Sequence, residues 1–211
     1  MMYKVVPPGR ARSPGRGPKV RTAVLAATLS ELAEKGYTDL TVDNVAQRSG
    51  VHKTTIYRRW TNRERLVADA VTDRATTRIP FPDTGDIDAD LRELARALVR
   101  FLNSPAGKAI TAATLSDAGR IPEIAEARRL FFQDRFHRAE SAVSGAIARR
   151  QLPTGTDPAE LVRTLVAPIY LRLLVTAEPI TETTADNAAK AALAAARART
   201  LMRPTPAQFC R

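Results

Sequence analysis

Between Thr41 and Trp60 the chain reads TVDNVAQRSGVHKTTIYRRW, with apolar residues spaced for helices on both sides of a Ser-Gly pair that suits neither. Val42, Val45 and Ala46 fall at three- and four-residue steps and so share one helix face. Thr41 stands just before them, where a hydroxyl caps the orphan amides of a first turn. Ser49-Gly50 then ends that helix after about two turns, because glycine enters a left-handed stop without a Cβ clash. The next helix must start near Val51-His52 and run to about Arg59. Two short helices on a tight glycine turn, behind a longer helix, make a helix-turn-helix unit.

The flanking sequence extends this pattern. Residues 1–18 hold prolines, glycines and four basic residues (Lys4, Arg10, Arg12, Arg16) with no acid, which predicts a disordered basic arm. From Lys19, Val24, Leu25, Leu29, Leu32 and Ala33 mark a first helix that Gly36 stops. Asn62 caps a fourth carrying Leu66, Val67, Ala70 and Val71. Residues 19–80 therefore form one unit, closed by the Pro/Gly/Asp stretch IPFPDTGDID. Beyond it, Leu91, Leu94, Leu98 and Leu102 make a clean stripe for a fifth helix. A sixth is expected from Ser104-Pro105 to about Ser116, and a seventh from Ile121-Pro122 to about Arg150. Asp157-Pro158-Ala159-Glu160 opens an eighth with an acid cap and proline in the first turn. An alanine-rich ninth is expected over about Thr183 to Met202. No period-two segment competes, so the fold class is all-α, with about nine helices. Residues 86–203 form a second helical domain and residues 204–211 a tail.

Charge separates the two domains. Of 33 Lys and Arg residues against 22 Asp and Glu, residues 1–80 hold fifteen and seven, so the first part carries +8 and the remainder +3. That imbalance points to a polyanion partner for the first part only. The single cysteine, Cys210, excludes an intramolecular disulfide framework and fits a reducing cytoplasm. No apolar run reaches the roughly 18 residues of a membrane span, and residues 7–18 offer no apolar signal core. A cytoplasmic chain without a membrane partner is expected.

The string from Thr41 to Val71, TVDNVAQRSGVHKTTIYRRWTNRERLVADAV, resembles the DNA-binding domain of TetR-family transcriptional regulators. It has that family's capping Thr, an Ala inside the second helix, a Gly-Val turn, an aromatic near the end of the recognition helix and a basic residue after Asn62. The later helices, with LVAPIYLRLLVTAEPI, are similar to the family's ligand-binding and dimerisation domain. Two residues depart from the pattern. Arg59 stands where His or Tyr is commoner, which bears on operator preference, and Trp60 where Phe is usual, which enlarges the hydrophobic plug.

The resemblance implies a homodimer on double-stranded DNA with a near-palindromic operator, a repressor released by an unidentified small molecule. An α-helix fits the major groove and its N-terminal side chains reach base edges, which here are His52, Lys53, Thr54 and Thr55. Tyr57, Arg59, Arg63 and Thr41 are better placed for phosphates. The competing reading of each basic residue is a solvated surface charge, and it weighs most for Arg65 and Arg74.

In the second domain Ile110, Leu115, Phe131, Phe132, Phe136, Tyr170 and Leu174 either line a cavity or fill a core. Pro168 inside the eighth helix removes a backbone hydrogen bond and favours a kink. A dimer seam is expected on the last two helices, through Leu161, Leu165 and Leu173 and through Ala192, Leu193, Ala196 and Leu201. An enzyme is not expected. His52 and His137 stand apart without ligating neighbours, and no phosphate loop or nucleophile elbow is present. No metal or other cofactor is expected. The rival reading is a DNA-organising protein without a ligand pocket.

Overall fold

The structure, a computed structural model, describes residues 16–79, 81–115 and 117–204. Among them are nine α-helices and no β-strand. The first four are α1 (Arg16–Asp39), α2 (Val42–Ser49), α3 (Lys53–Arg59) and α4 (Arg63–Arg78). Then follow α5 (Ile87–Asn103), α6 (Pro105–Leu115), α7 (Pro122–Ala148), α8 (Pro158–Leu174) and α9 (Glu182–Arg197). A 3-10 turn at Asp117–Arg120 joins α6 to α7.

Local chemistry sets most of these boundaries. Thr41 accepts from the Asn44 amide at 3.2 Å, and Asn62 accepts from the Arg65 amide at 2.8 Å. Asp157 accepts from the amides of Ala159 and Glu160 at 2.8 and 3.2 Å, with Pro158 at the start of α8. Gly50 closes α2 with φ 65°, in the left-handed region. Gly36, at φ 75°, breaks the helical geometry of α1 where the sequence expects its stop.

Two boundaries differ from expectation. Arg16, Gly17 and Pro18 belong to α1 rather than to the arm, since a proline is tolerated in a first turn whose amides have no helical acceptor. Residues 1–15 of that arm, and residues 205–211 of the tail with Cys210, lie outside the described residues. The ninth helix ends at Arg197, where Arg199 turns left-handed at φ 60°. The chain then runs back over the start of α8, pairing Met202 with Thr156, while the Asp157 amide donates to Leu201 at 2.8 Å.

Helices α1 to α4 pack around Val24, Leu25, Leu40, Val45, Ile56 and Trp60, all buried. Arg48 of α2 bonds Glu31 of α1 at 2.7 Å and also holds Glu34, fixing the two helices. In the second domain α5 lies against α8 and α9, where Leu91, Leu98, Leu161 and Leu165 are buried together. Each such side chain contributes about 1.5–3 kcal/mol by leaving water. Arg96 of α5 grips Asp186 of α9 through two hydrogen bonds of 2.8 Å. Helix α8 stays continuous through Pro168.

The two domains meet along α4, which packs on α1 on one side and on α7 on the other, and along α6, which packs on α1.

Candidate nucleic-acid interface and neighbouring cavity

The turn at Gly50 throws α3 across α2 with Ile56 and Trp60 pointing inward. The opposite face carries His52, Lys53, Thr54, Tyr57, Arg58 and Arg59, all exposed. Tyr57 is 45% exposed, unusual for an aromatic ring, and makes no hydrogen bond among the described residues. His52 sits before the helix with Nδ1 2.9 Å from the Thr54 hydroxyl, which orders both side chains on the surface. Arg59 lies over the Trp60 ring at 5.4 Å, and neither it nor Arg58 makes an ion pair among the described residues. Arg58 is the cation whose role was not singled out in the sequence.

Lys53 is not free. Its Nζ lies 2.6 Å from Asp43 Oδ1 across the turn and 5.9 Å from the Tyr57 ring centre. The hydrogen bond it donates to Asp43 holds the Lys53 ammonium above its ordinary pKa. Asp43 therefore belongs to this surface, although no motif marked it. The signal was its place in the first turn of α2, two residues beyond the capping Thr41.

Two of the expected contacts differ. Thr55 is half-buried in a shallow cleft against Gly17 and Val20 of α1, so it faces the protein. Arg63 points away from the α3 surface. Its guanidinium donates to the Leu40 carbonyl at 3.2 Å, pairs with Glu64 at 3.2 Å and stacks over Tyr37 at 4.6 Å. The chain end after α1 has unsatisfied carbonyls, and a fork of donors answers them better than it can reach a phosphate. Thr41 is exposed, with its hydroxyl engaged as the cap of α2.

Trp60 does more than enlarge a plug. Its indole Nε1 donates to Asp69 of α4 at 3.0 Å, and the same carboxylate receives Arg21 of α1 at 2.7 Å. A phenylalanine has no such donor. The angle of α3 is thus tied to α4 by a buried ring and a hydrogen bond.

The other side of α4 faces a cavity of about 260 Å³. Val67, Val71 and Ala75 form its wall on α4, continued by Ile79 just beyond the helix, and Phe101 and Leu102 close it from α5. Of the residues expected to line a cavity, Ile110, Leu115, Phe131, Phe132, Tyr170 and Leu174 do. Leu115 and Leu174, 59% and 39% exposed, stand where it opens. Phe136 does not line it. One turn along α7, it rests against Phe132 with ring centres 6.3 Å apart and under Arg163 at 4.7 Å. The α4 wall went unnoticed because that helix was assigned wholly to the first domain, although Val67 and Val71 continue its apolar spacing.

Five of the seven expected dimer residues face the core of their own subunit. Leu161, Leu165, Ala192, Leu193 and Ala196 are at most 5% exposed, and Leu173 and Leu201 pack against the same subunit core. Side chains without accessible surface offer a partner nothing. His137 is exposed on α7, 3.5 Å from Glu140. Among the described residues no group of three His, Cys, Asp or Glu side chains is placed to hold a metal, and no helix is long and apolar enough to cross a membrane.

An exposed basic helix on a helix-turn-helix unit, tied through α4 to a second helical domain, defines a DNA-binding transcriptional regulator. Residues 24–70 match the model for bacterial regulatory proteins of the tetR family, and residues 81–192 match the tetracyclin repressor-like C-terminal domain. The chain belongs to the TetR family. It is 35% identical to the uncharacterized HTH-type transcriptional regulator YdeS of Bacillus subtilis over 82% of this chain and 86% of that one. It is 32% identical to the HTH-type transcriptional regulator AqdR of Rhodococcus erythropolis, over 76% and 77% of the two chains. The crystal structure of the TetR family regulator SCO0332 superposes with a TM-score of 0.69 at 30% identity, covering 83% of this chain and 97% of that one. All three are described as transcriptional regulators.

Proposed function

We propose that this regulator is a homodimeric repressor that leaves a near-palindromic operator when a small molecule fills the cavity beside α4. One observation carries the reading: α4 holds Trp60 of the helix-turn-helix through Asp69 and walls the cavity through Val71 and Ala75. A ligand that spreads this wall moves the helix on which the angle of α3 depends. The ligand must bind the two arrangements with different affinity, since equal affinity shifts nothing. A DNA-organising protein would have no use for an apolar cavity against that helix.

In this reading His52, Lys53, Thr54 and Tyr57 face the groove, while Arg58 and Arg59 hold phosphates. Two copies set their recognition helices about 34–36 Å apart, one turn of DNA. The pairing face lies on the outward sides of α8 and α9. There Ala167, Leu171, Leu174 and Val175 make an exposed stripe on the first helix, and Ala191, Ala194 and Ala198 continue the outward side of the second. Val175, 73% exposed, is the most exposed of the large apolar side chains in this stripe.

Selection from random double-stranded DNA tests the operator. Two inverted half-sites one helical turn apart are expected, and a pool without symmetry would refute the dimeric reading. Binding to the selected site should weaken with salt at a slope of about −5 to −7 in log–log form, the release expected for six to eight neutralised phosphates. A slope near −1 would remove the phosphate contacts assigned to α3.

A further inference from the structure

Directly behind the cavity wall, against Phe131 and Ala75, lies one group that an apolar core does not explain. Arg135 of α7 is 5% exposed and has no carboxylate partner among the described residues. Its neighbour Asp134 is engaged instead by Arg138 at 2.8 Å. Among the described residues the Arg135 guanidinium makes a single hydrogen bond, from Nη2 to the Ala75 carbonyl at 3.3 Å, and its buried Nε has no acceptor. It stacks on Phe131 at 5.0 Å, and both Phe131 and Ala75 line the cavity. Burial pushes its pKa down to about 10, and Arg138 adds to the effect, so it remains a cation at neutral pH. A buried charge whose Nε has no acceptor is costly and calls for a reason.

Tyr170 supplies a second observation. It reaches the same cavity from α8, forms no hydrogen bond among the described residues, and feels the charge of Arg135. An unused phenol and an unpaired guanidinium thus adjoin one end of a cavity whose remaining walls are mostly aliphatic and aromatic, with Thr72, Thr111, Thr114 and Arg128 as the polar exceptions, Arg128 being held by the Thr114 carbonyl at 3.1 Å.

We propose that the cavity takes a compact apolar acid, a ring system bearing a carboxylate or similarly acidic oxygen that pairs with Arg135 and accepts from the Tyr170 hydroxyl. This rests on the reading of the chain as a ligand-responsive regulator and names the chemical class of the ligand. Size follows from volume. A dry cavity of about 150 Å³ holds benzene, so 260 Å³ takes on the order of ten non-hydrogen atoms. The charge also offers a route to α4. The Ala75 carbonyl accepts from the Ile79 amide at 3.0 Å as well as from Arg135. An anion that turns the guanidinium toward itself therefore frees the last turn of α4 without leaving a carbonyl unsatisfied.

The test uses the full chain and a matched pair of probes, 4-ethylbenzoate and the neutral 4-ethylbenzamide, with binding read by calorimetry rather than by DNA release. The acid is expected to bind at least ten-fold more tightly than the amide. Arg135→Met should bring the ratio to about one while keeping the helical spectrum, since it replaces an unpaired buried cation with an apolar chain of similar length. Tyr170→Phe, a milder change, should weaken the acid several-fold and leave the amide unchanged. Equal affinity for acid and amide, no binding of either, or an undiminished preference in Arg135→Met overturns the proposal. An acid that binds as expected but leaves the protein on its operator overturns the release mechanism and spares the ligand class.

Discussion

The α2–α3 pair and the α8–α9 pair belong to one chain, yet their orientations are written in different places. In the first pair each face is chemically distinct. Val42, Val45 and Ile56 are buried, while Lys53, Tyr57 and Arg58 are exposed, and Gly50 fixes the angle between the two helices. In the second pair both faces are made of Ala and Leu. On α9, Ala188, Ala192 and Ala196 are buried and Ala191 and Ala194 are exposed, as is Ala198 just past its end. Composition cannot choose between those two sets; packing on α5 does, through contacts such as Arg96 with Asp186. Polar punctuation orients a helix locally, whereas a uniformly small and apolar helix is oriented by its neighbours.

The sharpest way to break this comparison is to place the same charge on the two faces of α9. Ala192→Glu buries a carboxylate with no partner and should destabilise each subunit by about 3–5 kcal/mol. In a chain of this size that lowers the melting temperature by about 10 °C or more. Ala191→Glu, one residue away on the outward side, should leave the subunit folded, shift sedimentation to monomer and abolish tight operator binding, because a monomer holds a single half-site. Melting curves and sedimentation on both variants decide it. A well-folded monomer from Ala192→Glu would reverse the assignment of faces.

The same difference explains what could be read before the fold was known. Helix order, the caps at Thr41, Asn62 and Asp157, the stop at Gly50 and the exposed face of α3 all rest on signals within a few residues, and the sequence carried them. Most of the cavity was legible too, because large apolar side chains such as Phe131 and Tyr170 gather where helices cross. Its wall on α4, the inward turn of Arg63 and the burial of Leu161 and Leu165 were not. Each depends on residues distant in sequence: Arg63 answers the Leu40 carbonyl, and Leu161 meets the core beside α5 and α9. The end of α9 was missed for a related reason, since Arg199 is not a residue type that announces a left-handed turn.

Within the first domain, Lys53 and Arg63 make a smaller contrast of the same kind. Lys53→Ala should cost about 1–3 kcal/mol of operator affinity and relax preference at one base pair. Arg63→Ala should instead reduce stability by about 1–2 kcal/mol, because the Leu40 carbonyl loses a donor and Glu64 loses its partner. Its base preferences should match wild type once folded protein is counted. Relaxed specificity in Arg63→Ala would return that residue to the DNA surface.

The smallest expected effect belongs to Asp43, and it tests whether the exposed face of α3 is ready for DNA as it stands. Its carboxylate occupies Lys53, so a base edge or phosphate must first displace it. Both side chains are largely solvent-exposed, and such pairs contribute about 0–1 kcal/mol. Removing the carboxylate therefore frees the lysine at little cost to stability and takes one negative charge off a surface that meets a polyanion. Asp43→Asn should tighten binding to random DNA by about two- to five-fold. On the selected operator the gain should be smaller, because a favourable base contact already displaces the carboxylate there. The ratio of specific to non-specific affinity then falls, which makes Asp43 a residue that withholds Lys53 from the wrong sequences. Anisotropy titrations on operator and scrambled duplexes, at one fixed salt concentration, measure both affinities. Weaker binding of Asp43→Asn to scrambled DNA would mean that the carboxylate positions Lys53 for contact instead of competing for it.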